Sequence, residues 1–563
     1  MRDFFNRFCR TISFVFVVVA MLAFEGCSMV TDNTLGSDIM PEGQVMVMRH
    51  LKFQGNKIIS FNATTGENEV KDASLDGKNF LETRLYRTDS LISSNLNNGY
   101  MGMRRSDVFG LRTAGFASTM LYMNAIDEEK GFGYLPIFDT MKMVMTISNY
   151  GGDTLVPIRY KVYELLKPLA KSLFSETDSV AYINCDLSEV YDESRPIFEF
   201  TFPNSELGEG PATIMVPMEP TPYSWDFARR LMLIPDNYAD AGSDWDGYGR
   251  SGIECYTDDK QWVDKFHGVY IKPESAPSDK EGAIYELDLT ASGMMLQGRS
   301  RNPKDPSMIQ DTVGMYYYFK DSDSDYNRSV NRVERDYSQS LSGGDALLND
   351  VVMDCTVPRE NRSLVSTCYV EGMGGPSTEI YFTDDMLDEL LSLEQSASEE
   401  SMKVGINQCL LTIYVKGASY DWETTQNNAT ILTPLLDNSF VRLGGYTNYN
   451  TLSPVFDYDY VYENNNDSES LYGGYLDRSR GCYVMNITAH LQRLFNYAKS
   501  VRQEDGNYLF DENAQGYVGR SIYIGTEVVA PYSFSETTLQ GMEDDMGAIL
   551  APIQIDLTYT LIK

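Results

Sequence analysis

Residues 141–165 read MKMVMTISNYGGDTLVPIRYKVYEL, and the spacing of the apolar residues in this stretch predicts β-structure. Alternation with a period of two, typical of half-buried strands, is seen twice. The residues that share one face of either strand are Met141, Met143, Met145, Ile147, Ile158, Tyr160 and Val162. Residues 149–154 (NYGGDT) have the composition of a tight turn. The stretch therefore predicts an antiparallel hairpin.

Similar short apolar segments, separated by turn-forming residues, recur along the chain. Further strands are predicted at 211–218, 266–272, 283–289, 315–320, 379–382, 409–417, 522–529 and 553–562. Helical spacing occurs at 224–234, 383–393 and 487–497, with Ser224 and Thr383 as expected N-caps of the first two. This pattern is typical of antiparallel sandwiches. We predict a mainly β protein of two jelly-roll-like β-sandwich domains with a few short helices.

A domain boundary is predicted from the polar residues at 335–350, which contain Ser, Gly and Asp but no strand pattern. The 563 residues suffice for two domains. The predicted domains are residues 44–340 and 341–563.

The N-terminus has the features of an export signal. Three arginines precede an apolar run at 14–24, which is shorter than the roughly 20 residues of a membrane-spanning helix. The pair Gly26-Cys27 resembles the cleavage box of bacterial lipoproteins. We expect 1–26 to be removed, Cys27 to carry lipid, and the polar residues 27–43 to form a tether. The alternative is an ordinary signal peptide in which Cys27 is incidental.

The chain is strongly acidic, with 81 Asp and Glu against 46 Lys and Arg and a formal net charge of −35. Such a surface repels phosphate backbones, which argues against a nucleic-acid partner. It is also repelled by an anionic membrane surface. We therefore expect the lipid, and not a basic patch, to provide the membrane attachment.

Two cysteines, Cys355 and Cys368, flank the turn-forming residues 358–362 (PRENR). A hairpin folded about Asn361 and Arg362 would place these cysteines opposite each other. A disulfide and simple packing are both open at this point, because the geometry decides between them.

Two further segments have the residue types of a ligand site. Asp321, Asp323 and Asp325 alternate as in a calcium loop, but Tyr326 and Arg332 occupy the places of the Gly and Glu that such a loop needs. A solvated loop is therefore the preferred interpretation. Gly372, Gly374 and Gly375 could form a ligand loop, but phosphate-binding glycine loops normally open a helix, and these lead into a predicted strand. A structural turn is therefore the preferred interpretation of this glycine segment.

No catalytic constellation is recognisable in the sequence. The three histidines, His50, His267 and His490, are far apart, and neither HExxH nor GxSxG occurs. No cluster of Cys and His has the spacing of a zinc site. We expect no catalytic residues, no metal and no cofactor, although a pair of carboxylates of the glycosidase type would leave no mark in the sequence.

Several motifs, taken in order, resemble a family of Bacteroidetes outer-membrane lipoproteins classed as domain of unknown function 4270. They cover most of the mature chain, and the strongest is YVEGMGG at 369–375. The others are LGSDIMP at 35–41, DVFG at 107–110, NYGGDT at 149–154, VYEL at 162–165, FHGVYI at 266–271, IN at 406–407, GGY at 473–475 and NIT at 486–488. The resemblance implies a lipid-anchored outer-membrane protein facing the cell exterior, with no catalytic residues to carry over.

Three functions of different classes fit these observations. The first is a non-enzymatic scaffold or accessory subunit of an outer-membrane protein complex, such as a β-barrel complex that assembles or exports proteins. The second is a carbohydrate-binding surface lipoprotein, which would need an exposed set among Trp225, Trp245, Trp262 and Trp422. The third is a carboxylate-based glycoside hydrolase. The first is favoured, because the chain is large and acidic and lacks a catalytic motif.

Overall fold

The computed structural model describes residues 46–562, without residues 63–64, 170–179, 204–211, 237–244, 322–323, 396–402, 417–441, 459–471, 478–479, 528–530 and 543–551. The predicted mainly β fold is confirmed, and the strand pairs within its sheets are antiparallel. Among the described residues, no helix is both long and apolar enough to cross a membrane.

One large sheet is built from strands that follow each other in the chain. Its order is β12-β10-β9-β13-β6-β5-β14-β8-β15-β16-β7, with β11 paired to β8 and β17 to β6. The strands are β5 Asn98–Ser106, β6 Gly110–Ser118, β7 Leu121–Tyr122, β8 Ile137–Gly152, β9 Ile158–Leu165, β10 Tyr191–Phe202, β11 Ala212–Pro217, β12 Glu219–Pro220, β13 Val269–Ser275, β14 Ala283–Asp288, β15 Gly293–Asn302, β16 Asp305–Tyr318 and β17 Ser329–Asp336.

This sheet folds over its own core. The Phe138 ring on β8 lies 6.3 Å from that of Phe198 on β10, although five strands lie between β8 and β10 in the sheet order. Apolar side chains from both ends of the sheet share one buried cluster. It includes the seven alternating residues singled out in the sequence, all of which are buried as predicted.

The predicted hairpin of residues 141–165 is wrong, because β8 and β9 do not pair. Residues 149–152 continue β8, where Tyr150 pairs with Tyr285 of β14. A Cβ atom on Gly151 would lie 2.3 Å from the Phe534 side chain, so the glycine permits a close contact and not a turn. β9 pairs instead with β10 and β13.

Three further sheets, of seven, five and two strands, contain the strands from both ends of the chain. The sheet orders are β23-β24-β20-β27-β1-β2-β3, β22-β21-β25-β19-β4 and β18-β26. The strands are β1 Met46–Gln54, β2 Lys57–Asn62, β3 Glu67–Asp72, β4 Leu81–Arg87, β18 Thr367–Glu371, β19 Pro376–Phe382, β20 Lys403–Tyr414, β21 Leu443–Asn448, β22 Ser453–Pro454, β23 Gly473–Asp477, β24 Cys482–Asn486, β25 Ser521–Thr526, β26 Glu536–Gln540 and β27 Gln554–Ile562. They surround a second large core.

The sheet pairing departs from the predicted first domain at its N-terminal end. β1 pairs with β27 along its whole length, and β4 pairs with β19. The strands before residue 98 thus belong with the second half of the chain, whereas residues 98–336 form a sheet of their own. The chain leaves this sheet at Asp336, and its next strand, β18, lies in another sheet. A local polarity pattern cannot reveal such long-range pairing.

Four α-helices lie entirely within the described residues: α1 Ser224–Leu231, α2 Asp259–Lys265, α3 Asp384–Gln395 and α4 Thr488–Val501. Three were predicted; α2 was not. Thr383 caps α3, since its hydroxyl accepts a hydrogen bond from the Met386 amide at 3.3 Å. Ser224 is not the N-cap of α1 but its first residue, and its buried hydroxyl donates to the Ile197 carbonyl.

Candidate functional site

The large sheet meets the other three at a seam that contains buried charges. Glu371 of β18 lies between Arg112 of β6, 3.0 Å away, and Arg335 of β17, 2.8 Å away. The side chains of all three are 5% exposed or less. Burial lowers the pKa of Arg112 to about 10, although Glu371 opposes this shift. An unpaired charge is very costly at such a site. Each ion pair has one partner on either side of the seam, so the pairs hold the two parts of the molecule together.

A second carboxylate extends this group of charges. Glu536 of β26 lies 3.6 Å from the guanidinium of Arg104, which also binds Glu281 at 2.7 Å. Burial raises the pKa of Glu536, and the nearby Arg104 and Arg112 act in the opposite direction. Arg104 and Arg112 both donate to the carbonyl of Phe534, at 2.8 and 3.1 Å. Side chains and backbone thus hold β26 against β5 and β6.

The glycine segment Gly372, Gly374 and Gly375 lies buried at this seam. The Arg335 guanidinium donates to the carbonyls of Gly372 and Met373, at 2.9 and 3.0 Å. A Cβ atom on Gly372 would meet the Ser533 carbonyl at 1.9 Å, and one on Gly375 would meet Glu371 at 2.2 Å. The glycines therefore permit tight packing around the buried charges.

A cleft of about 710 Å³ opens along the same seam. Its lining includes the carboxylates Asp89, Glu334, Asp336 and Asp354. The pKa values of two of them are lowered by hydrogen bonds. The main donor is the Ser338 side chain for Asp336 and the Thr356 backbone amide for Asp354. Glu334 pairs with Arg332. A glycosidase needs one carboxyl whose pKa is raised, and neither Asp336 nor Asp354 is such a group.

The two cysteines considered for a disulfide are free thiols, and the predicted hairpin between them is wrong. Cys368 pairs across the sheet with Leu539 of β26, whereas Cys355 lies outside the named strands, and its amide donates to the Arg87 carbonyl. Burial raises the pKa of the Cys368 thiol to about 12, so this thiol is protonated at neutral pH. Cys27 lies outside the described residues.

The acidic residues considered for calcium are only partly described. Asp323 lies outside the described residues, and the Tyr318 hydroxyl donates to Asp321 at 3.3 Å. Within the residues that the structure covers, no three His, Cys, Asp or Glu side chains are grouped as metal ligands. The three histidines lie apart: His490 is buried, His50 lies beside Asp556, and His267 contacts the Val263 carbonyl.

The tryptophans do not form one stacking platform among the described residues. Trp262 is fully buried and stacks on Tyr317 at 5.5 Å. Trp245 is half-buried, and its indole donates to the Tyr248 carbonyl. Trp225 is 42% exposed, and Trp422 lies outside the described residues. These positions do not provide the coplanar exposed set that sugar stacking would require.

A feature that sequence reasoning missed is an open strand edge. β15 and β16 form a hairpin whose residues 303–312 are all exposed, including Met308 and Ile309. β7 pairs only with Tyr317 and Tyr318 at the base of β16. The Met123 amide, next to β7, donates to the Tyr316 carbonyl at 2.9 Å. Within the described part of the chain, residues 305–315 of β16 are paired on one side alone, by β15. The sequence feature that could have indicated this open edge is the apolar pair at 308–309.

The comparisons with known proteins add no relative. No protein-family model, no curated protein and no solved structure matches this chain.

Proposed function

We propose that this chain is a lipid-anchored, non-enzymatic subunit of an outer-membrane protein complex, exposed at the cell surface. It acts as a scaffold for the complex, and it holds an outer-membrane protein, such as a β-barrel, through the open edge of β16. Cys27 is the lipidated residue that keeps it at the membrane. The open edge is the observation that carries this proposal.

An unpaired edge presents a row of backbone donors and acceptors to a partner. Such an edge can accept an extended segment of another protein as an additional strand. Proteins normally protect long exposed edges, because they invite pairing with other chains. Here Met308 and Ile309 are 57% and 43% exposed beside that edge, so a partner strand would also cover apolar surface.

The environments of the carboxylates and cysteine thiols support a role in protein–protein contact in preference to catalysis. The carboxylates of the seam cleft are ion-paired or hydrogen-bonded, and the buried cysteine thiols have raised pKa values. The buried charges join one part of the molecule to the other. A large protein whose parts are held together in this way suits a subunit that positions its partners. Interfaces of standard size cover about 800 Å² of each protein.

The test compares two double variants of the tagged full-length protein, recovered from outer membranes in mild detergent. Met308→Lys/Ile309→Lys places charges on the open edge, and Leu347→Lys/Leu364→Lys places them on similarly exposed apolar residues elsewhere. We expect an outer-membrane protein to co-purify with the wild type and the control, and its recovery to fall at least about tenfold with the edge variant.

The same partner should crosslink to a photoreactive amino acid at position 308. Equal recovery with both variants would contradict the role of the edge. Glycan binding without any protein partner would favour the carbohydrate-binding function instead. Hydrolysis of a surface polymer, abolished by one carboxylate substitution, would refute both.

Lipidation is tested separately by metabolic labelling with a palmitate analogue. Cys27→Ala should lose both the label and the membrane location of the protein. Label that persists in this variant would show that Cys27 is not the anchor.

A further inference from the structure

The outer face of β1, β2 and β3 combines apolar residues with an almost neutral charge. In the strand register Lys52 pairs with Ile59, and Ile59 pairs with Val70, so these residues share one face. Side chains two positions away along a strand point the same way. Met48, His50 and Phe61 therefore lie on the same face, which we call the meander face.

Three apolar side chains on the meander face are open to solvent. Met48, Phe61 and Val70 are 66%, 60% and 61% exposed. The opposite face of the same strands carries Leu51, Phe53 and Ile58, which are buried in the core. Both sides of β1 and β2 thus carry apolar residues, but only one side is covered by the described protein. Clustered exposed apolar residues indicate a contact surface.

The charges of the meander face distinguish it from the whole molecule. Lys52 and Lys57 are offset by Asp72 on β3 and by Asp556 on the adjacent β27. The Asp556 carboxylate lies 3.7 Å from His50 and 3.8 Å from Lys52. The chain as a whole has a net charge of −35. A bilayer with anionic headgroups repels most of such a surface, but it would not repel this face.

We infer that the meander face is the surface on which the chain rests against the lipid bilayer. The inference depends on the proposed function, because it takes Cys27 as the membrane anchor. Eighteen residues lie between Cys27 and Met46, the first residue of β1, and the nineteen residue steps from one to the other reach at most about 65 Å. β1 is therefore the strand nearest to the anchor along the chain. Apolar side chains on a tethered domain add to the membrane affinity that the lipid provides.

The occupant of the face is identified by photocrosslinking. Full-length lipidated protein carries benzoylphenylalanine in place of Phe61, or in place of the similarly exposed Leu364 or Leu509. Each is reconstituted into vesicles of phosphatidylethanolamine and phosphatidylglycerol that contain an alkyne-labelled phospholipid. We expect at least about fivefold more lipid adduct from position 61 than from the two control positions. Equal adducts, or an adduct from position 61 to protein, would overturn the inference.

A flotation assay separates this inference from lipidation itself. Cys27→Ser protein, which lacks the anchor, is floated with an excess of the same vesicles. Phe61→Asp/Val70→Asp should reduce the floated fraction severalfold, whereas Leu364→Asp/Leu509→Asp should leave it unchanged. If Cys27 carries no label but flotation depends on Phe61 and Val70, the lipid anchor is refuted and the meander face stands. If neither pair changes flotation, the meander face is refuted whatever the state of Cys27.

Discussion

Glu371 is the single residue on which the seam depends most. Replacement by Gln would leave Arg112 and Arg335 buried without the carboxylate that both now contact. We expect Glu371→Gln to lower the free energy of unfolding by about 3 kcal/mol, measured by urea denaturation. The control is Glu334→Gln, which removes a half-exposed partner of Arg332 and should cost below about 1 kcal/mol. Equal losses would refute the special role of Glu371.

His490 gives a second prediction at the residue scale, on pH dependence. Burial lowers its pKa from 6.5 to about 4. Below pH 6.5 the unfolded chain therefore binds a proton at His490 that the folded chain does not bind until the pH reaches about 4. The free energy of unfolding thus falls as the pH decreases from 6.5 to about 4. The shift corresponds to about 3 kcal/mol. His490→Leu should remove this part of the pH dependence in unfolding measurements, and an unchanged slope would contradict the assignment.

At the scale of elements, the close packing of the segment between β18 and β19 depends on glycines, which have no side chain. Gly372→Ala would force a Cβ atom against the Ser533 backbone, and we expect a loss of about 2–3 kcal/mol in the free energy of unfolding. The matched control is Gly344→Ala, where no atom lies within 4 Å of the new Cβ. It should be neutral or stabilising by up to about 1 kcal/mol. Similar effects at both positions would contradict the packing argument.

The sequence patterns predicted which side chains face inward, but not which strands are neighbours. Met141 and Tyr160 are buried as expected, since alternation depends only on the local backbone. The turn signal at 149–154 failed, because pairing with β14 satisfies the backbone there. The seam was missed for another reason: charged residues such as Arg112 and Glu371 are normally exposed, and only the tertiary structure reveals that they are buried.

At the scale of the molecule, the seam should couple the unfolding of both parts. Residues 98–336 form a sheet of their own, inserted in the chain between β4 and β18. Separation of this sheet from the others would expose Arg104, Arg112 and Arg335 without their partner carboxylates. We predict one calorimetric transition for residues 44–563, which Glu371→Gln shifts to lower temperature without splitting it. Two resolved transitions in the wild type would show that the parts unfold independently.

The position of β27 has a consequence for biogenesis. This strand lies between β1 and β20, and it is synthesised about 500 residues after β1. Until it emerges, the backbone edge of β1 has no neighbour on that side, and the core beneath it stays open. The seven-stranded sheet therefore cannot be completed until β27 has been synthesised. A holdase that shields the early strands until then would meet that need.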